Sequence, residues 1–145
     1  MFIATNIPDD LALLRAGSPR AIIGGLAHED PGAPLALAMR EALYGLCRAF
    51  AVVMQVRPLP PLYSGHVRYQ REKNSGEGWE EWADPWSVAA RGWGDCDDLI
   101  LYRGAELLCS GEAAHVNCVW TPPRYHVRIR RGDGSEEDPS ILLGG

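Results

Sequence analysis

The stretch Gly94-Asp95-Cys96-Asp97-Asp98-Leu99-Ile100-Leu101-Tyr102-Arg103-Gly104-Ala105-Glu106-Leu107-Leu108-Cys109-Ser110-Gly111 decides how this chain folds. Asp95 is a good N-cap because its short carboxylate can accept from the unpaired N–H groups that open a helix. Asp97 and Asp98 then put negative charge in the first turn, where the helix dipole favours it, and Ser110-Gly111 stops the pattern. The spacing predicts a helix from Asp95 through Cys109 with Cys96 in its first position. Two strand-like runs follow, Ala114 to Thr121 and Arg124 to Arg131, separated by Pro122-Pro123. A Gly132-Asp133-Gly134-Ser135 turn leads into a short run ending at Asp138-Pro139. The order helix, strand, strand, strand predicts an α+β fold in which the helix packs on an antiparallel sheet.

Upstream, Leu35, Met39, Leu43, Leu46, Phe50 and Val53 recur at spacings of four and three, and Pro34 suits a first helical turn. This reads as a core helix ending before Pro58. Pro58-Leu59-Pro60-Pro61 makes a corner, Val67-Arg68-Tyr69-Gln70 a short strand, and Arg71 to Gly78 an exposed polar loop. Four of the five tryptophans lie between Trp79 and Trp93, as either packing beneath a loop or an aromatic wall beside a cleft. Residues 1–60 read as mainly helical, with a short helix over Pro8 to Arg15. With 145 residues and 46% hydrophobic content, one domain over 1–145 is expected.

The net charge of -5 comes without any basic run, which argues against nucleic acid as a partner. Met1 to Asp10 lacks a basic segment followed by an apolar one, so no signal peptide is expected. The longest apolar stretch, Ala42 to Val56, contains Arg48 and is too short to span a bilayer, so no membrane partner is expected. Of the four cysteines, Cys47, Cys109 and Cys118 sit in apolar runs and read as buried free thiols. Cys96 does not.

A thiol attacks as thiolate, and the positive end of a helix dipole or a neighbouring imidazolium favours that form. The flanking Asp95, Asp97 and Asp98 oppose it, so a reactive Cys96 needs a histidine. His28 lies in a polar loop, His66 reads as a surface residue, and His115 opens a strand and can face either way. His126 alternates with Tyr125, Val127 and Ile129, so on a strand it projects from the face opposite to those residues. Asp138 is the natural group to orient its imidazole. A three-residue Gly132-Asp133-Gly134 loop sets Arg131 opposite Ser135 and Asp138 opposite Arg128, on the face of His126 and one diagonal step away. A two-residue Asp133-Gly134 loop sets Asp138 opposite Ile129, on the wrong face.

In order and spacing, Gly94-Asp95-Cys96-Asp97-Asp98-Leu99, Tyr125-His126-Val127-Arg128-Ile129 and Glu137-Asp138-Pro139-Ser140 resemble the transglutaminase-like branch of the papain-like cysteine peptidases. Leu107 to Ala114 looks like that family's helix end and following strand. Glu80-Glu81-Trp82-Ala83-Asp84-Pro85 is similar to the approach to the cysteine in small versions carried by bacteria and their phages. The resemblance covers residues 67–143, about half of the chain. It implies a papain-like core with Cys96 as nucleophile, His126 as general acid and base, and Asp138 as orienter. The implied reaction is acyl transfer, foremost hydrolysis of an amide or isopeptide bond of a protein or peptide through a thioester, with no cofactor. The backbone N–H of Cys96 and a second donor, Gln70, Trp86 or Trp93, would meet the oxyanion. A cytoplasmic or virion location follows.

Two other readings stand beside this one. A non-catalytic adaptor, such as a phage virion component, could keep the fold and bind other phage structural proteins. A metal site would draw on Cys96, His126, His115 and a carboxylate, but zinc sites usually show a close ligand pair and the sequence has none, so no metal is expected.

Overall fold

Helix α1 spans Ala33–Met54 and leads through the proline corner to strand β1, Arg68–Tyr69. Helix α2, Pro85–Arg91, precedes β2, Trp93–Gly94, and then comes α3, Cys96–Cys109. Strands β3, Ala114–Thr121, β4, Arg124–Arg131, and β5, Glu136–Glu137, are followed by the short helix α4, Pro139–Leu142. The computed structural model describes residues 33–71, 81–121 and 124–145. The helix expected over Pro8 to Arg15, His28, Trp79, most of the Arg71 to Gly78 loop, and Pro122-Pro123 lie outside the described residues. The α+β class expected from the sequence is present, with a small antiparallel sheet of order β3-β4-β5 and a separate two-stranded parallel pair, β1-β2.

Helix α3 is the centre of the molecule. Nine of its 14 residues are buried, on all sides of the helix, which is what an element enclosed by its neighbours requires. One flank, with Ile100, Leu101 and Leu107, meets Leu43 and Cys47 of α1 and Ala114, Val116, Val127 and Ile129 of the sheet. The other flank, with Leu99, Tyr102 and Ala105, meets Ala51 and Met54 of α1, Leu62, Val67 and Val88. Each fully buried Leu, Ile or Val contributes about 1.5–3 kcal/mol, so this one helix anchors both halves of the core. Gly104 lets α1 approach closely, because a Cβ there would stand 2.6 Å from Cys47 Sγ.

The start of α3 follows its sequence signal. Asp95 Oδ1 accepts from Asp98 N at 3.2 Å, and Asp98 Oδ2 accepts from Asp95 N at 3.3 Å, a reciprocal cap with Asp in place of the usual Glu. Helix α2 was not foreseen, although Asp84 caps it by accepting from Ser87 N at 2.9 Å and Pro85 takes the first helical turn. Gly92 ends it in the left-handed region at φ 77°.

The β3–β4 ladder pairs Val116 with Ile129, Cys118 with Val127 and Val119 with His126. Ala114, Val116, Val127 and Ile129 face α3, while His115 and Val119 are exposed on the other face. The turn after β4 is the three-residue form: Gly134 N donates to Arg131 O at 2.9 Å, Arg131 N donates to Ser135 O at 2.8 Å, and Gly134 takes φ 86°. Strand β5 then pairs Glu137 with Ile129 and Glu136 with Arg130. The register places Glu137 on the helix side and Asp138 on the side of His126.

None of the four cysteines is in a disulfide. Cys47 is buried, as expected, but Cys109, the last residue of α3, and Cys118, in the middle of β3, are only half-buried. Among the described residues no helix is long and apolar enough to cross a membrane.

Candidate active site

Cys96 is the first residue of α3, capped by Asp95. Its Sγ donates weakly to Asp97 Oδ1 at 3.7 Å, and the thiol packs against the core cluster that holds Val127 and Ile129. Strand β1 runs parallel to β2, pairing Tyr69 with Gly94, and Gln70 N donates to Gly94 O at 2.9 Å. That ladder sets Tyr69 and Gln70 beside the residues leading into Cys96. Burial, and next the neighbouring Cys96 sulfur, push the Tyr69 phenol above its ordinary value.

His126 and Asp138 meet. His126 Nε2 lies 2.5 Å from Asp138 Oδ2, and the other oxygen, Oδ1, accepts from Ser140 Oγ at 2.6 Å and Ser140 N at 3.1 Å as the cap of α4. Burial works against the charge of Asp138, but the bonds from Ser140 and His126 outweigh it and hold the carboxyl below its usual 3.8. Arg128 Nε stands 3.8 Å from Asp138 Oδ2, as expected for the residue opposite Asp138.

Two links join this pair to the Cys96 side. Tyr69 N donates to Leu143 O at 3.1 Å, tying β1 to the end of the helix that Asp138 opens. Glu137, next to Asp138, accepts from Arg103 Nε of α3 at 2.7 Å. The alternation along β4 sets His126 on the face away from Val127 and Ile129, against whose cluster Cys96 packs. Past Ile129, the β5 side of β4 carries no strand partner among the described residues.

The acidic residues around Cys96 have separate work. Asp98 is fully buried, accepts from Ala83 N at 2.7 Å and pairs with Arg91 Nη2 at 2.5 Å, fixing the segment before α2 against the start of α3. Burial and the neighbouring Asp95 push its carboxyl up to about 7, against the pull of those amides and of Arg91.

Other sequence candidates fall elsewhere. His115 stacks on Tyr44 with ring centroids 4.6 Å apart, and among the described residues no three His, Cys, Asp or Glu side chains are grouped to hold a metal ion. His66 is engaged rather than a free surface residue, lying between Ser64 Oγ at 2.9 Å and Tyr102 OH at 3.1 Å. Of the donors considered for an oxyanion, Trp86 Nε1 is committed to Arg57 O at 3.0 Å. Trp93 is stacked under Arg91, whose guanidinium carbon lies 3.7 Å from the ring centroid. Gln70 Oε1 accepts from Arg68 Nη2 at 3.0 Å, and among the described residues its side-chain N–H groups have no acceptor. Trp82 was missed: its indole N–H is buried without an acceptor among the described residues, and its neighbour Ala83 is held by the first turn of α3.

Comparison of the chain with protein-family models, with curated proteins and with solved structures finds no significant match.

Proposed function

We propose that the protein is a cysteine-dependent acyl-transfer enzyme with a transglutaminase-like, papain-like core, acting by hydrolysis on an amide or isopeptide bond of a protein or peptide. The observation that carries this reading is the 2.5 Å bond between His126 Nε2 and Asp138 Oδ2. It fixes the ring and leaves Nδ1 as the nitrogen to meet a thiol. The reading requires the imidazole to reach Cys96 around the edge of β4 beyond its two-residue pairing with β5.

In the reaction, Nδ1 takes the Cys96 proton and the thiolate attacks the carbonyl carbon. The resulting oxyanion is met by the Cys96 backbone N–H at the helix N-terminus and by the Gln70 side-chain amide. Collapse expels the amine, which leaves with the proton from the imidazolium, and a thioester remains on Cys96. Water, deprotonated by His126, attacks the thioester, and the acid departs as the thiol is restored. Asp138 takes no proton; it accepts the Nε2–H bond and offsets the imidazolium charge.

The test is alkylation of Cys96 by iodoacetamide as a function of pH. An activated Cys96 reacts well below the ordinary thiol value of about 8.5, and His126→Ala moves the profile upward. The packing of Cys96 on the Val127 side of β4 favours a second reading, a non-catalytic adaptor that retains the fold. A profile identical in wild type and His126→Ala selects that reading and removes the enzyme.

A further inference from the structure

The residue before Asp138 is held more tightly than anything else on β5. Glu137 Oε1 accepts from Arg103 Nε at 2.7 Å and from Tyr63 OH at 2.5 Å, and Oε2 accepts from Arg131 Nη1 at 3.0 Å. Arg103 in turn gives Nη1 to Glu106 Oε2 at 2.6 Å, and Glu106 Oε1 accepts from Leu62 N at 3.1 Å. The Glu137 and Arg103 side chains are only 11% and 17% exposed, so these charge-assisted bonds are poorly screened. Bonds from Arg103 and Tyr63 outweigh burial and hold Glu137 ionised below its usual range.

Strand β5 needs such a hold. It pairs with β4 at two positions only, and Asp138 leaves the sheet at once to cap α4. A slip of one residue in so short a ladder would exchange the faces of Glu137 and Asp138 and turn Asp138 away from His126. Arg103 sits seven residues after Cys96, two turns along the same rigid helix, about 10 Å away. We propose that Glu137, gripped by Arg103, is a positioning residue that locks the strand carrying Asp138 to the helix carrying Cys96, so that His126 is presented to the thiol. The inference rests on the reading of Cys96 and His126 as a working pair.

A merely structural ion pair would stabilise the fold without touching thiol chemistry, and the test separates the two. Cys96 alkylation by iodoacetamide is followed against pH in the full chain, alongside the thermal midpoint, for Glu137→Gln, Arg103→Gln and Arg131→Gln. Glu137→Gln and Arg103→Gln should each slow alkylation at neutral pH by roughly tenfold or more, as expected for a misplaced catalytic group, and shift the profile toward that of Asp138→Ala. Arg131→Gln, which loosens Glu137 from within the sheet and does not reach α3, should leave the profile in place. Adding Glu137→Gln to Asp138→Ala should slow the reaction no further, because both changes act through one imidazole. If the glutamine variants fold poorly, Arg103→Lys keeps the charge without the fork and should give an intermediate profile. Variants with a lowered thermal midpoint and a wild-type profile would overturn the proposal. If alkylation responds to His126→Ala but not to Glu137→Gln, the tether alone is wrong; if it responds to neither, the thiol–imidazole pairing is wrong.

Discussion

Asp138 uses its two oxygens for two different jobs, and conservative replacement should separate them. Oδ1 caps α4, a helix of four residues, through Ser140 N, Ser140 Oγ and Ile141 N at 3.1, 2.6 and 3.5 Å, while Oδ2 faces His126. Asn caps a helix as well as Asp, so Asp138→Asn should cost no more than about 0.5 kcal/mol; Ala loses the cap and should cost about 1–2 kcal/mol. For a chain of this length that is a fall in thermal midpoint of roughly 3–8 °C for the Ala variant. Reactivity should fall in a different order. The Asn amide presents N–H to His126 Nε2, which must then accept, so the ring proton moves to Nδ1 and blocks transfer from the thiol. In the Ser-His-Asp template the same change costs about four orders of magnitude, and here roughly a hundredfold or more is expected in Cys96 alkylation at neutral pH. Asp138→Ala, free to take either tautomer, should be slowed less. Midpoints by thermal unfolding and alkylation rates by mass spectrometry measure both quantities on the same samples. If stability and reactivity fall in the same order, Ala below Asn below wild type, the account of Asp138 as orienter is refuted. The acid limb gives a second check. Because the folded carboxyl lies below 3.8, its stabilisation is complete above that value and is lost as pH falls through the lower folded value, so Asp138→Ala should flatten that loss.

Two further predictions concern the scaffold. In Gly104→Ala, better helix propensity gains about 1 kcal/mol, but a Cβ 2.6 Å from the sulfur of buried Cys47 overpacks the α1–α3 contact by about 1–3 kcal/mol. Chemical denaturation should show a net loss of up to roughly 2 kcal/mol, and the substitution should be better tolerated in a Cys47→Ala background; an equal effect of Gly104→Ala in both backgrounds would refute the close approach. For Asp98, carboxyl-carbon NMR should show titration near 7. Between about 4 and 7 the native protein keeps a proton that the unfolded chain releases, so this residue's contribution to stability falls as pH rises through that window, and Asp98→Asn should remove the slope. Titration below 4.5 would show that Arg91 and the two amides outweigh burial.

Much of the fold was legible because its signals are local. The Asp95 cap and Ser110 stop bound α3, alternation bounds β3 and β4, and the Gly132-Asp133-Gly134 loop settles which face Asp138 takes, since a positive φ at Gly134 belongs to the three-residue turn. Helix α2 was as legible, since Asp84-Pro85 and Gly92 are ordinary start and stop signals. Strand β2 could not have been read, because Trp93–Gly94 is extended only by pairing with Arg68–Tyr69, 25 residues earlier.

By itself the sequence determined the residue types and their local geometry: a thiol at a helix N-terminus, an imidazole on a strand, and a carboxylate one hairpin away from it. Caps, turns and strand period are set by neighbours within a few residues, and such signals survive without the rest of the chain. Only the tertiary structure decided what those groups meet. The engagement of His66 by Tyr102, the commitment of Trp86 to Arg57, the burial of Asp98 beside Arg91, and the grip of Arg103 on Glu137 each join residues that no local spacing relates. They exist because α3 is enclosed on all sides, and burying a polar or charged group is tolerated only where the fold brings it a partner.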